Sequence, residues 1–286
     1  MNEKLPLISV IIPTHNSKET IEVAIESIAL QTYPNLEIIV IDDNSTDDTK
    51  KLVQELANKY KNLYYYSLNL DDKDRYNKRG RNINAGYSAR NFGFEKTHGE
   101  WITFQDADDA SLLNRIEVQY ELAKKYNAMH VCIDWQKFDQ GLIGKKLDVD
   151  KIIKEKQNIM IEPKELAALA KKTKGILIPF IGSINKLIPF EWKQLRVINK
   201  LFFGSLDAYP GTGNSPLFKR EVIEKVKFRP LKERIWPSFV GRGADRDFNF
   251  QVAETFKNSL VFKLPLYLWR VKNQNSNSEN YSKYTV

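Results

Sequence analysis

Three aspartates stand close together at the end of an apolar run, in the stretch WITFQDADD. Asp106, Asp108 and Asp109 have no basic residue between them. Carboxylates this close repel one another, and burying them is costly unless a cation compensates their charge. Closely spaced oxygen ligands are typical of Mg²⁺ or Mn²⁺ sites, in which the ion often bridges one or two carboxylates and the phosphates of a substrate.

The backbone conformation around these acids decides what they can do. If the chain stays extended after the strand, Asp106 and Asp108 share one face and can act on the same ligand. The alternative is a solvated loop in which Asp109 caps the helix that follows. The pattern alone leaves both interpretations open.

Polar clusters also follow two other strands that the sequence predicts. PTHNS (13–17) follows the apolar run LISVII, and DDNSTDD (42–48) follows LEIIVI. Helical periodicity between the runs predicts right-handed βαβ units and a parallel sheet. Ligands bind beyond the carboxyl ends of such strands, so we expect all three clusters to meet at one edge of the sheet.

The second cluster begins with Asp42 and Asp43. A carboxylate at a strand end can accept hydrogen bonds from a nucleobase or a ribose, and its alternative role is helix capping. Neither a G-x-G-x-x-G nor a G-x-x-x-x-G-K-[ST] motif is present, which disfavours dinucleotide oxidoreductases and P-loop ATPases. The single cysteine, Cys132, excludes thiolate zinc clusters and an intramolecular disulfide.

Several of these motifs together resemble a known family. SVIIPTHNS, the stretch from SIALQTYPNLEIIVIDD onward and ARNFGFEKTHGEWITFQDADD are followed by GNSPLFKREVIEKV, GADRDF and LYLWRVKNQNS. In this order and spacing they resemble the inverting family-2 glycosyltransferases. The resemblance implies a GT-A fold: an α/β, Rossmann-like and mostly parallel sheet flanked by helices, here with an inserted helical basic segment.

The resemblance also implies roles for individual residues. The positions that match the family's nucleotide-binding residues are Pro13, Thr14, Asn16, Asp43, Arg90 and Asp106. Asp43 would hydrogen-bond the base, usually uracil, and Arg90 would either reach a phosphate or form a salt bridge within the fold. Asp106 and Asp108 match the D-x-D motif that holds Mn²⁺ or Mg²⁺ against the diphosphate of a nucleotide sugar.

Two acids compete for the role of catalytic base. Asp245 matches the acid that takes the proton of the acceptor hydroxyl in the family, and we expect it to be the base. The glutamate that usually precedes it is replaced by Ala244, and Asp247 follows two positions later. Asp247 is therefore the alternative base, or a helix cap for FNFQVAETF.

These matches predict a non-processive enzyme, because the Q-x-x-R-W motif of processive members is absent. We expect a hexosyl- or N-acetylhexosaminyltransferase that moves a sugar from a nucleotide-diphosphate donor, such as a UDP-sugar, to a glycan or lipid-linked acceptor in surface polysaccharide (capsule or lipopolysaccharide) synthesis. The alternatives are a metal-dependent nucleotidyltransferase and a binding module that has lost catalysis.

One domain is predicted over residues 1–272. Its nucleotide-sugar half spans 6–130, its acceptor half spans 131–272 with a basic insertion at 140–205, and a polar, mobile tail follows at 273–286. The stretch 71–88 is expected to be a mobile loop near the nucleotide.

The basic segment carries most of the net charge of +8, since residues 145–200 contain 13 Lys or Arg and 6 Asp or Glu. Solvated lysines on a packed insertion are the favoured interpretation, and peripheral contact with an anionic membrane surface is the alternative. No nucleic-acid motif accompanies the lysines, so a nucleic-acid partner is disfavoured. With no signal peptide and no run of ~20 apolar residues, the sequence predicts a cytoplasmic protein, in the alternative one bound at the inner face of the membrane.

Overall fold

The structure is a computed structural model of the chain. It describes residues 4–68, 86–174, 207–236, 243–270 and 281–286, together with positions 187–189, 192, 195, 198, 201–202 and 205. Residues 71–85 of the expected loop and 175–186 of the basic insertion therefore lie outside the described residues, whereas Tyr87 and Ser88, also expected in the loop, begin a helix.

Strands and helices alternate along the first half of the chain, as the sequence predicts. The strands are β1 (Ile8–Thr14), β2 (Leu36–Asp42), β3 (Leu63–Ser67), β4 (Trp101–Phe104) and β5 (Ala110–Ser111). The helices are α1 (Ile21–Ala29), α2 (Thr49–Lys59), α3 (Tyr87–Lys96) and α4 (Arg115–Lys125). The first four strands pair in parallel, in the order β3-β2-β1-β4.

The second half of the chain completes the same sheet with a different pattern of pairing. Its strands are β6 (His130–Lys137), β7 (Met160–Ile161), β8 (Leu217–Lys219) and β9 (Ser259–Trp269). Its helices are α5 (Val149–Glu155), α6 (Pro163–Thr173), α7 (Val222–Lys225) and α8 (Ala244–Phe256). β8 is antiparallel to β4 and β6, whereas β9 is parallel to β6 and antiparallel to β5 and β7. The sheet is therefore mixed, and the expected parallel pairing describes mainly its first half.

Both faces of the sheet are covered, which explains why β1 and β2 are apolar at nearly every position; the exceptions inside these strands, Ser9 and Glu37, are buried and bonded to each other. Ile8, Val10 and Ile12 pack with α1, α2 and α4 on one face, whereas Ile11 packs with α3, α7 and α8 on the other. Successive side chains of a strand point to opposite faces, so an unbroken apolar run indicates a layer of helices on each side.

The end of the chain differs from the expected mobile tail. Residues 281–286 lie against α5 and the segment before it, where the backbones of Lys146 and Val286 exchange two hydrogen bonds of 2.8 and 2.9 Å. Tyr284 is buried, and its hydroxyl donates to Glu155. The composition of the tail is polar, but its tyrosines supply enough apolar surface to anchor the last residues.

Candidate active site

A pocket of about 770 Å³ opens at the carboxyl ends of β1 and β4. All of the nucleotide-binding and metal-binding candidates line it, together with the favoured catalytic base: Pro13, Thr14, Asn16, Asp43, Arg90, Asp106, Asp108 and Asp245. The three polar clusters of the sequence therefore meet at one edge of the sheet. Asp247 does not line the pocket.

At one end of the pocket, the loops after β1 and β2 are locked together. The side-chain oxygen of Asn16 accepts a hydrogen bond of 2.7 Å from the backbone N–H of Thr46, and Asn16 itself has a left-handed φ of 50°. His15 Nδ1 lies 2.6 Å from the carbonyl oxygen of Asp43, so this nitrogen carries the proton and donates it. The fixed loops hold the buried Asp43 at the pocket wall.

Asp42 has a structural role instead. One of its carboxylate oxygens accepts from the backbone N–H of Ser45 at 2.8 Å, and the other accepts from the hydroxyl of Tyr65 at 2.7 Å. Both oxygens are therefore used within the fold, and of the two neighbouring acids Asp43 is the one that lines the pocket.

The acidic cluster sits in a turn and not in an extended strand, so of the two geometries left open by the sequence the structure shows the loop. β4 ends at Phe104, and the backbone N–H of Asp109 donates to the carbonyl of Asp106 at 3.2 Å. The turn nevertheless gathers the acids, because one carboxylate oxygen from each of Asp106, Asp108 and Asp109 lies within 4.8 Å of the others.

Each acid of the turn has a different environment. The two oxygens of Asp106 accept from Arg90 Nη2 and from Asn214 Nδ2, both at 2.6 Å. Asp108 is exposed, and among the residues that the structure describes none donates a hydrogen bond to its carboxylate. Arg90 thus forms the salt bridge that was one of its two expected roles, at the pocket wall.

A helix cap was the alternative role for Asp109, and the structure shows a different one. Its carboxylate is buried and accepts from the Tyr267 hydroxyl at 2.9 Å and from the backbone N–H of Arg270 at 2.7 Å. α4 begins only at Arg115, six positions later. We call residues 106–109 the acid turn. Because Asp109 is held by β9 and the residue after it, the acid turn is fixed to the second half of the chain.

The charges of this cluster fit a divalent cation. Burial raises the pKa of the Asp106 carboxyl, and Asp108 raises it further, although the Arg90 guanidinium opposes both. Burial also raises the pKa of Asp109 to about 8, with further contributions from Asp106 and Asp108. Burial is the first cause of both shifts, and the neighbouring carboxylates add a repulsion that the protein compensates only in part. Three carboxylate oxygens in such surroundings suit Mg²⁺ or Mn²⁺.

Tyr267 and Asn214 connect the cluster, and sequence reasoning missed both. The hydroxyl of the buried Tyr267 donates to Asp109 and accepts from the backbone N–H of Asp106 at 3.2 Å and from Asn214 Nδ2 at 3.1 Å. A tyrosine inside an apolar strand carries no sequence signal for this role. Asn214 lies in the turn-rich stretch GTGNSP, which predicts a loop but not what the loop contacts.

Asp245 lies across the pocket in the first turn of α8. Gly213 is the close neighbour that leaves room for it, since a Cβ at Gly213 would lie 2.9 Å from Asp245 Oδ2. Asn249 fixes the backbone around both residues, because its amide donates to the carbonyls of Gly213 and Asp245 at 2.7 and 2.8 Å. The carboxylate of Asp245 is therefore directed at the pocket beside the loop that carries Asn214.

Asp247 is neither a helix cap nor exposed to the pocket. It is fully buried, and α8 begins three positions before it, at Ala244. Its carboxylate forms two 2.8 Å bonds with Arg229 and accepts from the backbone N–H groups of Ile235 and Trp236 at 2.8 and 2.9 Å. This carboxylate holds the 229–236 segment to the helix.

The other end of the pocket is aromatic. Trp135 and Trp269 stand on the neighbouring strands β6 and β9, with ring centroids 4.7 Å apart and planes at 87°. We call this pair the tryptophan corner. The next residue, Arg270, stacks its guanidinium 3.7 Å from the ring centroid of Phe138 and donates from Nε to the carbonyl of Asp108 at 2.9 Å.

One mixed sheet carries a single pocket, which is lined by aspartates from three segments of the chain: Asp43, the acid turn and Asp245. Comparison with known proteins shows which family has this arrangement. The family model described as Glycosyl transferase family 2 matches residues 9–192. This match covers more than half of the chain. The chain therefore belongs to glycosyltransferase family 2, which confirms the resemblance found in the motifs.

Two bacterial relatives have specific names. The chain is 36% identical to the GalNAc(5)-diNAcBac-PP-undecaprenol beta-1,3-glucosyltransferase of Campylobacter jejuni over 161 residues. These aligned residues are 54% of this chain and 48% of that protein. The chain is 29% identical to the UDP-Glc:alpha-D-GlcNAc-diphosphoundecaprenol beta-1,3-glucosyltransferase WfgD of Escherichia coli over 147 residues. These aligned residues are 51% of this chain and 53% of that protein. The chain thus spans about half the length of these relatives.

Solved structures confirm the GT-A fold. Staphylococcus aureus TarS 1-349 in complex with UDP has a TM-score of 0.57 at 17% identity, covering 92% of this chain and 60% of TarS 1-349. The mannosyltransferase PcManGT from Pyrobaculum calidifontis in complex with GDP-Man and Mn²⁺ has a TM-score of 0.51 at 18% identity, covering 94% of this chain and 58% of that one. Within the described residues, none of the helices has the length and apolar character needed to cross a membrane.

Proposed function

We propose that this protein is a non-processive, inverting glycosyltransferase that moves a sugar from a nucleotide-diphosphate donor to a hydroxyl group of an acceptor. One observation carries the proposal: the acid turn and Asp245 face a single pocket whose far wall is formed by the loops after β1 and β2. Transfer of a sugar between two bound substrates requires one side of a pocket that binds the donor. It also requires a separate carboxylate on the other side that can take the proton of the acceptor.

The donor occupies the half of the pocket above β1, β2 and β4. Asp43 accepts hydrogen bonds from the base, and Pro13, Thr14 and Asn16 form the wall beside it. The base is uracil in this proposal, which makes the donor a UDP-sugar. The diphosphate then extends toward Arg90 and Asp106.

Asp108 would hold a divalent cation, Mn²⁺ or Mg²⁺, with Asp106 and Asp109 beside it. Such an ion would supply positive charge to stabilise the departing diphosphate. Arg90 fixes the orientation of Asp106 through their salt bridge, so the two act as one unit on the donor side.

Asp245 is the general base. Its carboxylate takes the proton of the acceptor hydroxyl while that oxygen forms a bond to the anomeric carbon. The bond from the anomeric carbon to the diphosphate breaks, and the nucleoside diphosphate leaves with the electron pair. Attack from the face opposite the leaving group inverts the anomeric centre. Asp247 is unsuited to this role because Arg229 and two backbone N–H groups occupy its carboxylate.

The names of the two relatives suggest the substrates. Both are beta-1,3-glucosyltransferases, and both names include an N-acetylhexosamine in an acceptor linked to undecaprenol through a diphosphate. We extend this to the present chain: the donor is UDP-glucose, and the acceptor is a lipid-linked glycan that presents an N-acetylhexosamine in surface polysaccharide synthesis.

A lipid-linked acceptor implies work at a membrane surface. The proposed contact is peripheral, on the cytoplasmic side, through the basic segment 145–200. Exposed apolar side chains at Leu187, Trp192 and Leu195 lie in this lysine-rich part of the chain, a combination that suits an anionic surface. Sedimentation with vesicles tests this: binding to phosphatidylglycerol vesicles but not to neutral phosphatidylcholine vesicles supports the contact, and equal recovery in the supernatant with both contradicts it.

The transfer assay uses radiolabelled UDP-glucose, Mn²⁺ and octyl N-acetyl-α-glucosaminide as a soluble acceptor. We expect a glucosylated product with the wild type and a loss of at least about a hundred-fold with Asp245→Asn. Asp150→Asn is the matched control, because Asp150 is an exposed acid in the first turn of α5, outside the pocket. UDP binding without any transfer from a panel of UDP-sugars would instead favour a binding module.

A further inference from the structure

The tryptophan corner has no part in the roles given so far, although both of its residues line the pocket. Trp269 keeps 43% of its surface exposed, which is high for a large aromatic side chain in an ordered strand. We propose that the tryptophan corner is the acceptor subsite, where the N-acetylhexosamine ring that receives the new sugar stacks on Trp269. This inference rests on the proposed function and names the part of the pocket that recognises its acceptor.

The order of the strands places the corner away from the nucleotide. The sheet runs β3-β2-β1-β4-β8-β6-β9-β5, so Asp43 follows β2, the acid turn follows β4, and the corner stands on β6 and β9. From β2 to β6 there are four strand spacings, or about 19 Å. A nucleotide with its base over β2 and its diphosphate over β4 therefore points its sugar toward the corner, and the base does not reach the corner.

The loop of Gly211 to Asn214 connects the corner to the proposed base. Thr212 donates from its backbone N–H to the carbonyl of Ile133 at 2.7 Å, two positions before Trp135. The next residue of the loop, Gly213, is the close neighbour of Asp245. An acceptor ring on the corner thus has its hydroxyl groups on the side of the pocket from which Asp245 takes the proton.

The corner is also held at a defined position relative to the acid turn. Arg270 follows Trp269, and its backbone N–H and Nε bind the carboxylate of Asp109 and the carbonyl of Asp108. The ring of Trp135 packs edge-on against Trp269 and limits its rotamers, so Trp269 loses less conformational entropy when a ligand covers it.

An aromatic corner suits a pyranose ring in particular. The π face of tryptophan carries negative charge density and attracts the weakly positive C–H groups that line one face of a sugar, while the sugar hydroxyls point sideways to polar partners. Two rings at 87° form two walls, so one can lie under the sugar while the other bounds its edge, where an acetamido methyl group can pack.

The test compares Trp269→Ala and Trp269→Phe with Tyr64→Ala. Tyr64 is a matched control, since it is 45% exposed and lies on β3, outside the pocket. Two acceptor probes are used, methyl and octyl N-acetyl-α-glucosaminide. We expect Trp269→Ala to raise the acceptor KM by about ten-fold for both probes and to leave the Kd of UDP within about two-fold of the wild type. Trp269→Phe keeps an aromatic face and is expected to recover most of the loss.

Two results would overturn the inference. An unchanged acceptor KM in Trp269→Ala would show that the corner does not bind the acceptor, and a loss confined to the octyl probe would assign it to the lipid chain.

A second measurement separates this inference from the proposed function. Saturation-transfer NMR detects binding of the methyl glycoside to the protein with UDP and requires no turnover. Binding to the wild type that disappears in Trp269→Ala supports the corner even if no sugar is transferred, in which case only the proposed reaction fails. No binding to the wild type contradicts the corner directly.

Discussion

Replacing Tyr267 with phenylalanine removes one oxygen atom from the centre of the acid turn. That hydroxyl donates to Asp109 and accepts from the N–H of Asp106 and from Asn214. Phenylalanine fills the same space in β9, so the change leaves packing intact but removes these three hydrogen bonds, together with a long and weaker one of 3.4 Å from Gln105 Nε2. At about 1 kcal/mol for each net hydrogen bond, we expect a loss of about 3 kcal/mol in the free energy of unfolding.

The assay is thermal unfolding with and without Mn²⁺ and UDP. For a chain of this size, about 3 kcal/mol corresponds to a fall of roughly 6 °C in Tm. We also expect the stabilisation by UDP and Mn²⁺ to decrease in Tyr267→Phe, because the hydroxyl sets the relative positions of Asp106 and Asp109.

Tyr33→Phe is the matched control. Tyr33 is buried as deeply, and its hydroxyl makes one bond of 2.7 Å, to the carbonyl of Pro6. We expect a loss of about 1 kcal/mol, or roughly 2 °C, and unchanged stabilisation by UDP and Mn²⁺. If Tyr267→Phe costs no more than Tyr33→Phe, the hydroxyl does not hold the acid turn together and the reasoning is refuted.

Three further predictions concern stability. Asp247→Asn should lower the free energy of unfolding by about 3–5 kcal/mol in urea titrations, because it breaks a buried ion pair with Arg229; a change below about 1 kcal/mol would contradict that role. Burial lowers the pKa of His130 from 6.5 to about 4, so the unfolded chain binds the proton more tightly. The contribution of neutral His130 to the free energy of unfolding is therefore complete above pH 6.5 and falls by about 3 kcal/mol as the pH drops to about 4. His130→Gln should remove this pH dependence. If the dependence persists in that variant, His130 is not its source. Gly211→Ala should lower the free energy of unfolding by more than about 2 kcal/mol, since φ is +75° and the new Cβ would lie 2.3 Å from the carbonyl oxygen of Ile133; a stability equal to wild type would show that the turn relaxes.

Local patterns predicted the first half of the fold well. The runs that became β1 and β2 are apolar at nearly every position because helices cover both faces of the sheet, and the helices between them show the expected periodicity. The convergence of the polar clusters followed from the parallel topology alone.

Features that depend on distant parts of the chain were not predictable in this way. Asp109 looks like a helix cap from its neighbours in sequence, and only the pairing of β5 with β9 brings it to Tyr267 and Arg270. Asp247 likewise looks like a cap, because its partner Arg229 lies 18 positions away. For such residues the contacts come from tertiary packing, and the local sequence carries no record of them.

The antiparallel strands show the same limit. β8 has only three residues, and its insertion between β4 and β6 is set by tertiary pairing. Trp135 and Trp269 are 134 positions apart, and the parallel pairing of β6 with β9 makes them neighbours.

The most direct test of the central claim is thermal stabilisation by a panel of nucleotides, with and without Mn²⁺, for the wild type and Asp108→Asn. We predict that UDP raises the Tm of the wild type by roughly 5 °C at about a hundred times its Kd, and only when Mn²⁺ is present. Asp108→Asn should abolish that shift while unfolding at the wild-type temperature without ligand. If no nucleoside diphosphate raises the Tm under any metal condition, the pocket does not bind a nucleotide sugar and the proposed transferase activity is contradicted.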